Sequence, residues 1–401
     1  MSARPDASPI ADMRTYSRAF WLVFGASFAL NTVANLFVLF PLWIVDRGGT
    51  AGTIGAIIGT GSLAALASRP AVGTLIDRRG RRWTATCFLL LDAFAIALYL
   101  PLRSIGAEVF VVRAIHGAME GTARVALFAM IYDMLPAGRE GEAMSIFSLS
   151  GMVPAALGPV VGEQLILSFG FPAFFALAIV LMLLGALIAR AVVEPTDHAG
   201  TSERTSAAGP GYAALISDPA MLPLWVVTLL FALAISCRLS FVAPYAYQEG
   251  VRRVGWYFAI YSIAGVTVRL RGGQLMDRIG LNRALLPSLM VLAIGLALIA
   301  GAGTTGVLDL AAAIGGIGHG YLYPALTALV IARTPARATG RSSSIYSSLY
   351  DFGTMAGPYV LGIVAAQWGY GLMFIVSGMI AVAGGIYFVG AEPTALSPLP
   401  Q

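Results

Sequence analysis

Not one of the 25 basic residues in this 401-residue chain is a lysine; all are arginine. A phosphate-cradling loop of the form G-x-x-x-x-G-K-[ST] is therefore impossible, and any work the chain does cannot be driven by ATP hydrolysis through such a loop. Charge of either sign is scarce: 11% of residues are charged and 58% hydrophobic, whereas a soluble domain carries about 25% charge. Cysteine is limited to Cys87 and Cys237, both inside apolar blocks, so no structural disulfide is expected and the redox compartment stays open. No His, Asp or Glu group has metal-ligand spacing, so no metal site is expected, and no nucleophile constellation stands out; the glycine-serine pieces read as helix packing. An intramembrane enzyme or a receptor is thus a distant alternative, and a purely structural role has no soluble domain to support it.

What is present is apolar sequence in about twelve blocks of roughly 20 residues, each long enough to cross a hydrocarbon core as a helix. The predicted spans are 19–44, 52–76, 84–101, 107–132, 143–168, 171–192, 219–244, 252–274, 284–302, 306–332, 342–367 and 370–390. Glycine and proline inside these blocks are tolerated where neighbouring helices re-satisfy the backbone. The fold class expected is all-α integral membrane, with an N-terminal tail at 1–18, a six-helix bundle at 19–193, a polar linker at 194–218, a second six-helix bundle at 219–391 and a C-terminal tail at 392–401. Arginine is concentrated in the tail, the linker and the loops after spans two, four, eight and ten, and is sparse on the opposite side, chiefly Arg47, Arg103, Arg252 and Arg253. The positive-inside rule then puts both termini in the cytoplasm. Distributed along block ends in this way, the basic residues fit a lipid bilayer as partner and do not fit nucleic acid. The polar first 18 residues read as a cytoplasmic tail and not as a removed signal peptide.

The two halves repeat. Arg69, Gly73, Asp77, Arg78 and Gly80 recur as Arg269, Gly273, Asp277, Arg278 and Gly280, and Ser145–Pro159 is echoed by Ser344–Pro358. Parallel repeats of six helices imply an axis along the membrane normal and a binding site at their interface near the midplane. Asp77 ends its helix where the macrodipole disfavours an anion, so it needs an arginine or the start of another helix. Symmetry nominates the eleventh helix near Arg341 for Asp77 and the fifth near Glu142 for Asp277. Such contacts can form only when the cytoplasmic side is closed. The competing reading is that these arginines merely anchor the topology.

Charges inside spans are costly unless they pair or face water. In the fourth span Arg113, Gly117, Glu120 and Arg124 fall within about 60° of one another on one helical face, a stripe expected to line a central cavity. Glu120 is near mid-span; a carboxylate stripped of its cation and of water binds a proton more readily. It is therefore the leading proton-coupling residue, with Arg113 as a switchable partner. A permanent structural ion-pair network is the alternative. Asp92 and Glu163 are secondary proton-site candidates, and His116 and His319 can titrate near neutrality or simply pack. Asn31 and Asn35 share a face of the first helix, Arg238 lies in the seventh, and His319 and Tyr323 share a face of the tenth. Asp351 and Asp133 read as parts of a cytoplasmic gate or a loop salt bridge. Gly158-Pro159 and Gly357-Pro358 predict matching kinks.

The stretch GTLIDRRGRR, with Gly73, Leu75, Asp77, Arg78, Gly80, Arg81 and Arg82, resembles the signature between helices two and three of the major facilitator superfamily. Its echo from Gly273 to Arg283 extends the resemblance to both halves. VVRAIHGAMEG, with Arg113, Gly117 and Gly121, and GMVPAALGPVVG, with Gly151, Gly158, Pro159 and Gly162, look like the fourth- and fifth-helix motifs of its twelve-helix drug/proton antiporter branch. His116 stands where that branch usually has glutamine, and Glu163 where it has glycine. The resemblance implies the major facilitator fold and places Asn31, Asn35, Arg113, Glu120, Arg124, Arg238, His319 and Tyr323 at the cavity. It also implies proton-coupled efflux of a small organic solute or drug by alternating access, in a monomer of the bacterial inner membrane that uses a proton gradient and no cofactor. The arginine excess at Arg113, Arg124 and Arg238 keeps a second reading open, an exporter or facilitator of an anionic metabolite such as an organic acid or siderophore.

Overall fold

A computed structural model describes residues 16–136, 138–193 and 210–391, without the side chains of 271–279 and 336. The expected tails and most of the expected linker lie outside the described residues; within the linker interval Tyr212–Ile216 forms one turn of helix, and Leu215 O accepts a bond from Trp225 Nε1 at 3.1 Å.

Helix α1 runs Arg18–Asp46, tightened into a 3-10 turn at Phe37–Leu39 before Pro41. Then come α2 (Ala51–Arg79), α3 (Arg81–Ala97) and α4 (Ala107–Tyr132). The continuous helix Glu140–Arg190 is two spans, α5 and α6, because Gly170 (φ 78°, ψ −179°) breaks it with a conformation that only glycine adopts readily. In the second half α7 (Leu222–Gln248), α8 (Gly255–Ile279), α9 (Leu281–Ile299) and α10 (Thr305–Arg333) follow. Thr339–Ala391 holds α11 and α12, which meet at Gly369 (φ 84°, ψ 163°). Seven described helices are long and apolar enough to span a bilayer. Two of these hold two spans each, and α3, α4 and α8, shorter or interrupted by charge, complete the set of twelve.

Helix starts obey local chemistry. Ser17, Thr50 and Thr304 each cap a first turn through the side-chain oxygen, accepting from Phe20 N (3.1 Å), Thr53 N (3.3 Å) and Val307 N (3.4 Å). Positive φ at Gly80 (82°) and Gly280 (86°) turns α2 into α3 and α8 into α9 with no intervening loop. Large apolar side chains such as Phe94, Ile263, Leu187 and Met379 point outward. On a soluble protein these would be a liability; on a membrane-spanning bundle they are the lipid face.

Within each half, glycine lets helices touch backbone to backbone. A methyl on Gly117 of α4 would overlap the Gly61 carbonyl of α2, and one on Gly295 of α9 would sit 2.5 Å from Gly315 of α10. The halves pack backbone against backbone along two seams at the end away from Arg18 and Ala391. In one, the Gly357-Pro358 bend of α11 rests on Gly55 of α2, where an added methyl would strike Pro358 O and lie 3.2 Å from Gly362 Cα. In the other, the Gly158-Pro159 bend of α5 faces Gly255 of α8, where a methyl would lie 2.9 Å from Pro159 O and 2.8 Å from Val160 Cα. At the opposite end nothing among the described residues lies within 4 Å of the space above Gly73. The bundle is thus closed by backbone contact at the far end, whereas the Gly73 face at the other end makes no such contact among the described residues.

Candidate functional site: a charged cavity between the halves

A cavity of about 510 Å3 lies between the halves, walled by α1, α2 and α4 on one side and α7 and α11 on the other. Arg113, Gly117, Glu120 and Arg124 all line it, with Arg69 from α2 and Asp351 from α11. The helical spacing of those four residues on α4 is what aims them at one space.

The ion pairs are specific. Glu120 takes Arg124 as its partner, Nη2 to Oε1 at 2.5 Å, and Arg124 also donates to Asn31 Oδ1 at 2.8 Å. Arg69 and Asp351 form an ion pair that crosses from one half to the other. Arg113 holds no carboxylate. Its Nη1 donates to His116 Nδ1 (3.2 Å), its Nε is buried without a partner, and its guanidinium lies 5.6–5.9 Å from the rings of Phe40 and Phe37. Because arginine can only donate, His116 Nδ1 accepts and the ring proton sits on Nε2, facing Asp92 Oδ1 at 3.6 Å. Asp92 is fully buried and neither of its oxygens has a hydrogen bond. A polar thread thus runs from the cavity wall into the first half, from Arg113 through His116 to Asp92, with Tyr99 OH 3.4 Å from the same His116 nitrogen.

Other predicted positions lie elsewhere. Asn31 reaches the site only through Arg124, and Asn35 Nδ2 bonds back to Asn31 O at 2.8 Å, while Ala34, Phe37 and Val38 of α1 form the wall. Arg238, His319 and Tyr323 are not wall residues of this cavity; they belong to an aromatic cluster inside the second half. There Arg238 sits 4.0 Å from the Tyr261 ring centroid, His319 is 5.6 Å from both Phe231 and Tyr261, and Tyr323 packs on Tyr346 and Tyr350.

In the loop motif, Arg81 pairs with Asp133 at the end of α4, and Arg82 Nη1 donates to Val192 O at 3.2 Å. Asp77 and Arg78 are exposed, and Asp77 makes no hydrogen bond or ion pair among the described residues, so its expected contact with α11 is not made in this conformation. The side chains of Asp277 and Arg278, and any packing at Gly273, lie outside the described residues; Arg283 is half-buried at the start of α9. Gly151 and Gly158 of the fifth-helix motif face Asn31 and Asn35 of α1, and Gly162 admits Leu36 and Leu39, where a methyl would meet them at 2.8 and 3.1 Å. Glu163 points across the seam to α8.

Sequence reasoning did not anticipate Arg69 as the partner of Asp351, nor Ser236 and Ser240 on the α7 wall. The signal was there: polar residues four apart on an otherwise apolar span share a face.

Twelve spanning helices in two repeated halves around a shared charged cavity define a membrane transporter and leave no enzyme-like centre among the described residues. The chain belongs to the Major Facilitator Superfamily, whose sequence profile matches residues 22–306 and 249–401. Among curated relatives, the multidrug resistance protein MdtG of Enterobacter lignolyticus (strain SCF1) is 27% identical over 378 residues, covering 90% of this chain and 88% of that protein. The staphylopine export protein of Staphylococcus aureus (strain Mu50) is 24% identical over 377 residues, covering 92% and 94%. Among solved structures, the nucleoside transporter NupG superposes with a TM-score of 0.79 at 14% identity over 94% of this chain and 99% of that one. The likeness to NupG shows the fold. The protein is accordingly a multi-pass membrane transporter for small molecules.

Proposed function

We propose that the protein is a proton-coupled exporter of small organic solutes, working as a monomer by alternating access in a bacterial inner membrane with both termini in the cytoplasm. The observation that carries this reading is the ionised stripe on α4 facing a cavity shared by both halves. Charge at that depth costs several kcal/mol per group unless it pairs or faces water, and here both paired and unpaired cations border one shared cavity. Export is supported by the two relatives, one named for multidrug resistance and one for export. With the chain termini inside, the described conformation is read as inward-facing: the seams are shut outside, and within, beyond the Arg69–Asp351 bridge, the Gly73 face carries no packing contact among the described residues.

In this reading Glu120 exchanges its bond to Arg124 for a proton as the cavity changes sides, and Arg113 alternates between His116 and a charged partner. Asp92 and His116 form a reserve proton path. Arg69 and Asp351 bridge the halves and part during the cycle, while Gly73, Asp77, Arg78, Gly273, Asp277 and Arg278 close the cytoplasmic side in the opposite state. The proton gradient supplies the energy. In proteoliposomes with an imposed pH gradient, Glu120→Gln is expected to abolish the pH dependence of transport; unaltered pH dependence with normal rates rejects the coupling role.

A second reading, an anionic cargo, is favoured by one observation. Three arginines but two carboxylates line the cavity, and Arg113 is the cation left without a carboxylate. Proton-dependent accumulation of cationic dyes in everted vesicles would defeat it.

A further inference from the structure

The outer seams of the two halves are built on one plan with one exception. Gly55 and Gly255 occupy matching places at the starts of α2 and α8, and each receives a Gly-Pro bend from the other half, Gly357-Pro358 or Gly158-Pro159. Counting five residues on from the glycine of each bend reaches Gly362 in α11 and Glu163 in α5. Gly362 does what the plan demands: its place is so tight that a methyl would lie 3.1 Å from Gly55 Cα and 3.1 Å from Ala51 O. Glu163 puts a carboxylate, 4% exposed, into the corresponding seam.

That carboxylate is fully engaged by the opposite half. Oε1 accepts from Val254 N at 2.8 Å and from Tyr247 OH at 3.3 Å; Oε2 accepts from Gly255 N at 2.8 Å. Val254 and Gly255 are the entry to α8, whose first N–H groups have no partner within the helix. A side chain of the first half thus caps a helix of the second, with the anion at the positive end of the dipole. Gly255 is required for the fit, since a methyl there would sit 3.0 Å from Oε2. Neither the carboxylate nor the two N–H groups could remain dry and unpaired, so the bonds can only be exchanged for water, and water reaches them only when the seam opens.

We infer that Glu163 is the latch of the outer gate, a positioning residue that holds the inward-open state by capping α8 across the interface. This rests on the alternating-access reading above, but the test below needs no transported solute, so failure to find a cargo and failure of the latch are separate results. Spin labels are placed on cysteines at Arg103 and Gly303, exposed outer loops of opposite halves, in the full-length protein lacking Cys87 and Cys237, and distances are read in lipid nanodiscs by double electron–electron resonance. Glutamine at 163 keeps the size but turns an NH2 group onto a backbone N–H. E163Q is expected to raise the ratio of long to short distances about tenfold or more, the range for a lost charge-assisted bond. E163D keeps the charge but is one methylene too short to reach both N–H groups; it should shift the ratio the same way, and it decides the matter should E163Q not fold. Distance distributions unchanged from the parent in the folded variant overturn the inference, as does a lowered melting temperature with no redistribution of distances, which marks a merely structural role.

Discussion

Placing a methyl on Gly55 or Gly255 should tip this transporter toward its outward-open state by an amount the seam geometry sets. At Gly255 the new Cβ would lie 2.8 Å from Val160 Cα and 2.9 Å from Pro159 O; at Gly55 it would strike Pro358 O and come within 3.2 Å of Pro358 C. These are backbone atoms, which cannot rotate away as a side-chain end can. Overpacking of this kind costs about 1–3 kcal/mol, and the cost falls only on the conformation in which the seams are shut. The equilibrium between states should therefore move about 5- to 150-fold toward the outward-open form for either Gly→Ala change, and the effects should multiply because the two glycines press on different neighbours. The assay is alkylation of a single cysteine introduced at Ser62, which lines the cavity, by a membrane-impermeant maleimide added outside intact cells. Its rate follows the outward-open population. Gly73→Ala is the opposing control: nothing among the described residues lies within 4 Å of its new methyl here, and in the proposed cycle this face packs against the other half in the opposite state, so the cost should fall there and the rate should drop. Unchanged rates in both G55A and G255A, or a rise in G73A, would refute the reasoning.

Two further outcomes follow from charges and backbone angles. Arg69→Ala and Asp351→Ala should each weaken the bridge between halves, with a coupling of at most about 1 kcal/mol in a double-mutant cycle because both side chains are partly exposed, at 41% and 38%; the swapped pair R69D/D351R should restore the alkylation rate of the parent. Gly170→Ala and Gly369→Ala force a methyl onto φ values of 78° and 84° with extended ψ and should cost about 1–3 kcal/mol each, seen as a lower melting temperature, whereas Gly303→Ala, with nothing within 4 Å among the described residues, should not.

Much of the fold was legible because membrane helices advertise themselves by length, and the duplicated Arg69 and Arg269 segments fixed the pairing of the halves. The stripe from Arg113 to Arg124 was legible for the same local reason, a helical spacing that needs no neighbour to interpret. Partner choice was legible only in part. The i,i+4 spacing already favours Arg124 over Arg113, two turns away, as the partner of Glu120; what the spacing could not show is that Asn31 of α1 would hold Arg124 there, nor that Phe37 and Phe40 would shelter Arg113. Arg238 was expected at the cavity, yet Tyr261 holds it within the second half. Asp77 was expected against α11, yet it is exposed here and makes no hydrogen bond or ion pair among the described residues; in the proposed cycle its contact forms in the opposite state. Glu163 looked like a stray intramembrane acid until α8 supplied its donors, 92 residues along the chain at Gly255.

The breaks at Gly170 and Gly369 carry a mechanical corollary. Each joins two spans through a single residue with no slack chain, so α5 cannot swing at the outer seam without hauling α6 along on the lipid-facing flank, and α11 does the same to α12. A tug at Gly255 or Gly55 is therefore passed on through Gly170 or Gly369 to the neighbouring span and is not absorbed by a loop between them. Inserting a floppy tether at either glycine would be like loosening a rudder post: the handle would still turn, but the blade would no longer answer.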